Sequence, residues 1–126
     1  MECPFCNLPD GRIEREDEYA VVVRDACPVS KEHSLIIPRR HVGSFFETDD
    51  DERDSLIALI EEQNRVLDVV LKPDGYNIGI NDGAAAGQTV AHLHVHLIPR
   101  FVGDLEDPRG GIRRVIHDKA KYWGKS

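Results

Sequence analysis

In the stretch AHLHVHLIPR three histidines fall at successive alternate positions, His92, His94 and His96, alternating with Leu93, Val95 and Leu97. In an extended chain residues i, i+2 and i+4 share one face. The spacing therefore puts three imidazoles on one side of a strand and three aliphatic side chains on the other. One reading is a half-buried strand whose solvent face happens to be histidine, a rare coincidence for a residue with no strand preference. Another is a metal site, because His-x-His on a strand can send two imidazoles to one zinc; no acidic ligand motif accompanies it. The third is nucleophilic chemistry on phosphorus. Neutral imidazole attacks near pH 7 if one ring nitrogen keeps its lone pair and the other gives its proton to an acceptor that fixes the ring. Straight-strand geometry spaces neighbours on the face by about 6.6–6.8 Å, too far for ring contact but a gap one phosphoryl group can bridge. A central histidine can then attack while a flanking one holds an oxygen or protonates the leaving group.

A second cluster is Cys3-Pro4-Phe5-Cys6. A redox pair is one reading, but no strand precedes it and no βαβ pattern surrounds it. Two idle thiols are another, and half of a structural zinc site completed by two histidines is a third. Cys27 makes the cysteine count odd, which is no disulfide framework, and it has no assigned role. A reducing cytoplasm is the expected compartment. The opening residues contain no apolar run of a signal peptide, and no stretch approaches the length of a membrane span.

Around these groups the chain offers few elements. The 126 residues suit one domain with a real core. EYAVVVRD predicts a strand from Tyr19 to Arg24, and SLIIP a second from Ser34 to Ile37, stopped by Pro38. Thr48 is the expected helix cap, with Asp49, Asp50, Asp51 and Glu52 favouring the positive end of the dipole. Leu56, Leu59, Ile60, Val66, Leu67 and Val70 then recur at helical spacing, predicting a helix over about 49–71. Ile57, Val69 and Leu71 widen its apolar arc. YNIGIN is the next strand, DGAAAG a small-residue loop, and TVAHLHVHLIP the last long strand. Strands and one long helix that do not alternate as βαβ units predict an α+β domain with an antiparallel sheet and a short C-terminal tail. The net charge of −7 argues against binding nucleic acid through its phosphates.

The run HLHVHLI fits the signature His-φ-His-φ-His-φ-φ, with φ apolar, and here the chain resembles the histidine triad family of nucleotide hydrolases and transferases. NDGAAAGQTVAHLHVHLIPR matches that family's Asn-acidic-Gly turn, small-residue loop and Gly-Gln-Ser/Thr before the triad. YAVVVRDACPVSKEHSLIIPRRHV matches its upstream strand, Asp–Pro loop, histidine and Pro–basic–basic–His. The likeness runs from about Cys3 to Arg114. It implies that His94 is the nucleophile of a covalent nucleotidyl intermediate, oriented by a backbone carbonyl near His92. By the same likeness His96 bonds phosphate or leaving-group oxygen, His33 supports the triad, and Gln88 and Thr89 contact the α-phosphate. Gly87 lets backbone approach that phosphate, Asn81 sits beside it, and Asp25 holds the ribose hydroxyls. Val23 and Ala26 stand where many relatives carry larger residues near the ribose, and Thr89 stands for Ser.

Many bacterial and archaeal members bind zinc through such a cysteine pair and two histidines, here Cys3, Cys6, His41 and His92. The resemblance thus marks residues 1–10 as a metal segment of a single domain, and about 101–126 as a substrate-specificity tail. It also implies a homodimer paired through the helix and a neighbouring strand. Arg109, Arg113 and Arg114 supply guanidinium groups suited to phosphate oxygens, in a tail that resembles those of dinucleoside polyphosphate hydrolases. The expectation is hydrolysis of diadenosine polyphosphates. A nucleoside phosphoramidate hydrolase, a non-catalytic nucleotide-binding protein and a zinc-dependent hydrolase using the triad as ligands are the rivals.

Overall fold

The structure, a computed structural model, describes residues 2–124. Met1, Lys125 and Ser126, at the ends of the expected metal segment and tail, lie outside the described residues. Five strands, β1 (Ile13–Glu16), β2 (Ala20–Arg24), β3 (Ser34–Pro38), β4 (Gly75–Gly79) and β5 (Val95–Arg100), form one sheet in the order β1-β2-β3-β5-β4. Every neighbouring pair is antiparallel. One helix, α1 (Asp50–Val70), packs across β2 and β3.

The helix forms because its apolar positions fall on one stripe. Leu56, Leu59 and Leu67 pack with Ala20 and Val22, Ile36, and Val95 and Leu97 from three central strands. Burying each such side chain stabilises the fold by about 1.5–3 kcal/mol. The cap is Asp49 and not the expected Thr48. The Asp49 carboxylate accepts from the Glu52 amide, and the Glu52 carboxylate accepts from the Asp49 amide, a reciprocal capping box. Thr48 instead closes a 3₁₀ turn, Phe45–Glu47, with its hydroxyl on the Phe45 carbonyl.

Two strand expectations need correction. β1 was not expected: Ile13–Glu16 is an edge strand with a register irregularity whose residues are alternately half-buried and exposed, but of the half-buried pair only Ile13 is apolar, so the sequence shows no alternation. The last strand starts at Val95, not Thr89. Leu93 donates its amide to the Val42 carbonyl, so the chain before Val95 is held by a loop and not by the ladder. The remaining strands lie close to their expected places, with β2 starting one residue after Tyr19, β3 running on through Pro38, which pairs with Ala20, and β4 spanning Gly75–Gly79 in place of Tyr76–Asn81.

The face of the sheet away from the helix is also covered. There Val21, Val23, Leu35 and Ile37 pack against Phe5, Leu8 and Ile13, so the N-terminal segment roofs the β1–β3 half. No helix of the described residues is long and apolar enough to cross a membrane.

Candidate active site

His96 stands on β5 opposite Leu35 and therefore on this outer face. His94 precedes the strand but keeps the alternation, half-buried between the buried Leu93 and Val95. Their rings tilt together to a centroid separation of 5.2 Å, closer than straight-strand spacing suggested. His33 immediately precedes β3, almost wholly buried, and meets His96.

The hydrogen bonds assign a tautomer to each ring. His94 Nδ1 lies 2.9 Å from the His92 carbonyl, an acceptor only. Nδ1 must carry the proton, which leaves a lone pair on His94 Nε2. His33 Nδ1 accepts from the Val29 amide at 3.2 Å. Its proton therefore sits on Nε2, which is 2.9 Å from His96 Nδ1 and 3.4 Å from the Asp25 carboxylate. His96 accepts at Nδ1 and carries its proton on Nε2. One backbone carbonyl and one backbone amide thus produce a nucleophilic nitrogen on one ring beside an N–H donor on the next. Burial lowers the pKa of His33 and of His96, and the Asp25 carboxylate opposes this without reversing it. Both rings are thereby biased to the neutral form that this proton pattern requires.

Cys3, Cys6, His41 and His92 converge from three segments, with their ligand atoms all within 4.8 Å of one another. Cys3 Sγ is 3.3 Å from His92 Nδ1, Cys6 Sγ is 3.2 Å from His41 Nδ1, and the two Nδ1 atoms are 3.3 Å apart. Tetrahedral zinc with its usual bond lengths has ligand–ligand edges of roughly 3.3–3.8 Å, so the set fits. The far nitrogen of His92 points at the Pro38 carbonyl at 2.8 Å, fixing the proton there and the lone pair on the metal side. A second group, Asp25, His33 and His96, is equally compact. It fails the same test, because the far nitrogen of His33 faces the Val29 N–H, a donor where a metal-bound imidazole needs an acceptor. The two clusters are therefore chemically different: the first has the donor set and spacing that suit a metal, and the second is a chain of hydrogen-bonded rings.

His92 belongs to both halves of the site: its ring faces the cage and its carbonyl holds His94. Phe5, between the two cysteines, sets its edge against the His94 ring at 5.1 Å. Sequence reasoning did not single out Phe5, although its place inside Cys-x-x-Cys was the available signal.

The other expected residues are placed less uniformly. Asn81 shares a cavity with His33 and His96. Gly87 adopts φ +96°, a conformation that favours glycine, and a side chain there would meet the Asn81 amide. Gln88 has both amide protons on backbone, at the Gly43 and Val90 carbonyls, and its oxygen accepts from the Gly83 amide. It fastens the small-residue loop to the chain before the triad. Thr89 is exposed. Asp25 takes the Cys27 amide on one oxygen and faces His33 with the other. The three tail arginines are engaged within the tail: Arg109 pairs with Asp107 and stacks on Trp123, Arg113 donates to the Lys119 and Ala120 carbonyls, and Arg114 to those of Asp107 and Arg109.

Comparison with known proteins identifies the family. The family model described as HIT domain matches residues 10–103. An uncharacterised HIT-like protein of Methanocaldococcus jannaschii is 41% identical over 108 residues, covering 82% of this chain and 83% of its own length. The AP-4-A phosphorylase of Mycobacterium tuberculosis is 33% identical over 107 residues, 80% of this chain but 55% of that protein. Among solved structures, a Zn-bound histidine triad family protein from Mycobacterium smegmatis superimposes with a TM-score of 0.73 at 36% identity, covering 83% of this chain and 79% of that one.

Proposed function

This chain belongs to the HIT domain family, and we propose that it hydrolyses diadenosine polyphosphates through a covalent nucleotidyl intermediate on His94. The observation that carries the proposal is the bond from His94 Nδ1 to the His92 carbonyl, which frees Nε2 as a nucleophile. His94 Nε2 forms a bond to the α-phosphorus while the phosphorus–oxygen bond to the leaving polyphosphate breaks. The Nε2–H of His96 donates to that departing oxygen, where negative charge develops. Water then attacks the same phosphorus and the nitrogen–phosphorus bond breaks. The nucleoside monophosphate leaves, the water protons pass to product and solvent, and His94 regains its lone pair. His33 keeps His96 in the donating tautomer. Asn81, Gly87, Gln88 and Thr89 shape the phosphate side, and Asp25 meets the ribose.

Cys3, Cys6, His41 and His92 hold a structural zinc in this reading. The ion supplies a cross-link between the N-terminal segment and the sheet, and the reaction steps belong to the protein side chains. Two copies pair through α1 and β4. Ile57 and Val69 on the helix, and Ile78 on the edge strand β4, are more than half exposed and await such a partner. The relative named AP-4-A phosphorylase supports the choice of substrate.

Turnover of diadenosine tetraphosphate is measured beside adenosine phosphoramidate, in chelator, for the native chain and His94→Ala. Cleavage of the tetraphosphate by the native chain alone is the expected result. Turnover of only the phosphoramidate makes the chain a phosphoramidate hydrolase with the same nucleophile. Equal activity in the variant removes His94 from the mechanism. Adding inorganic phosphate identifies the acceptor, since phosphate attack on the intermediate yields adenosine diphosphate and water yields the monophosphate.

A further inference from the structure

The His94–His96 pair lies in a seam between two covers on the outer face of the sheet. On one side the N-terminal segment brings Phe5 and Leu8 over β2 and β3. On the other, the tail lays the 3₁₀ turn Gly111–Val115 against β4. Between this turn and the sheet is a cavity of about 430 Å³. His33 and His96 line it, Ile98 contributes from β5, Ile112 and Val115 wall it, and the Asn81 amide offers a polar edge. A cleft of this size, mainly apolar with a few polar groups, suits a small organic ligand.

Two features show that the wall is built. Gly110 has φ +89°, and a side chain there would come within 2.9 Å of the Ala120 carbonyl, so the tail closes on itself only with glycine at this point. The guanidinium groups of Arg113 and Arg114 are tied to tail carbonyls and hold the turn in shape. The result leaves Ile112 and Val115 69% and 71% exposed beside a catalytic centre. Aliphatic side chains fixed open to water there gain from a flat apolar occupant.

Resting on the hydrolase reading above, we infer that this cavity seats the second nucleoside, the one carried by the leaving nucleotide. The cavity begins at His96, the residue that holds the departing oxygen. The leaving chain therefore enters it directly, while Asp25, 3.4 Å from His33 and outside the cavity lining, holds the first nucleoside at the cavity's edge. Its base lies against Ile98, Ile112 and Val115, with its polar edge towards Asn81. The tail selects dinucleoside over mononucleoside polyphosphates by apolar contact with a base, and its arginines act by shaping that wall.

The test compares diadenosine tetraphosphate with adenosine 5′-tetraphosphate, which has the same α-phosphate and chain but no second nucleoside. The ratio of their kcat/KM values is measured for the native chain and for the double variant Ile112→Ser/Val115→Ser. The native ratio is expected to favour the dinucleoside by roughly tenfold or more, the scale of apolar contacts in a pocket, and the variant ratio to fall towards one. Both positions are exposed, so a melting temperature close to native confirms the fold. A native ratio near one, or a ratio the variant leaves unchanged, overturns the inference. So does an equal loss on both substrates with a change in sedimentation, which makes the patch an interface between copies. If the native chain cleaves neither substrate, the hydrolase reading falls by itself. Calorimetric binding of the same two nucleotides to both chains then decides the cavity by the same ratio.

Discussion

Replacing Cys6 by Ser tests the metal cage with little interference from packing. Cys6 is exposed, so in the metal-free protein the change alters stability by no more than about 0.5 kcal/mol. The four side-chain donor atoms already converge within 4.8 Å, so the proposed zinc is expected to bind the folded chain without further ordering. At a free zinc concentration of about 1,000 times the dissociation constant, that binding stabilises the fold by roughly 4 kcal/mol. In a domain of this size each kcal/mol moves the melting temperature by about 3–5 °C, giving a shift of roughly 12–20 °C. Thermal melts of native and Cys6→Ser protein, each with zinc and with chelator, complete the cycle. The native chain is expected to lose most of that shift in chelator, and the variant to melt low in both conditions. A native melting temperature indifferent to chelator, or a variant that responds to zinc as fully as the native chain, refutes the cage.

Two further outcomes follow from the proton chain. His96→Phe removes the Nε2–H donor while keeping a planar ring of similar size. It is expected to lower kcat by about 10²–10³ on leaving groups that depart with strong negative charge, and by less on weakly basic ones, seen in a leaving-group series. A uniform loss across the series contradicts the assignment. The second outcome concerns pH. Burial lowers the pKa values of His33 and His96 from 6.5, so the unfolded chain takes up these protons before the folded one does. Their contribution to stability is complete above about pH 6.5 and is lost as pH falls through the folded-state values. Urea unfolding in chelator at pH 7.5 and 5.5 is expected to show the lower midpoint at 5.5; an equal or higher midpoint there contradicts the sign.

The helix and the core strands were legible because burial on one face imposes a period, and Leu56, Leu59 and Leu67 or Val22 and Ile36 carry it openly. β1 was not, since its half-buried positions are Ile13 and Arg15 and only one of them is apolar. Thr48 and Asp49 are both good caps, and only the reciprocal bond with Glu52, three residues after Asp49, separates them. The proposed metal ligands lie far apart in the chain, and no local pattern links Cys3 to His92; only the family likeness pointed to them as a set. What the sequence could not show are the tautomers. They depend on the His92 carbonyl and the Val29 amide, backbone groups that every residue carries and only the fold aims. The tail arginines looked available for phosphate because their acceptors, carbonyls and the Asp107 carboxylate, emerge only when the tail turns back on itself.

The most direct test of the account is to trap the intermediate. Native protein is mixed with diadenosine tetraphosphate, quenched within the first turnover under conditions that preserve phosphorus–nitrogen bonds, and digested for mass spectrometry. The account predicts one nucleotidyl group on His94, absent from His94→Ala. A quenched protein that turns over substrate yet carries no adduct, or carries it on His96 or another residue, contradicts the assignment of His94 as nucleophile.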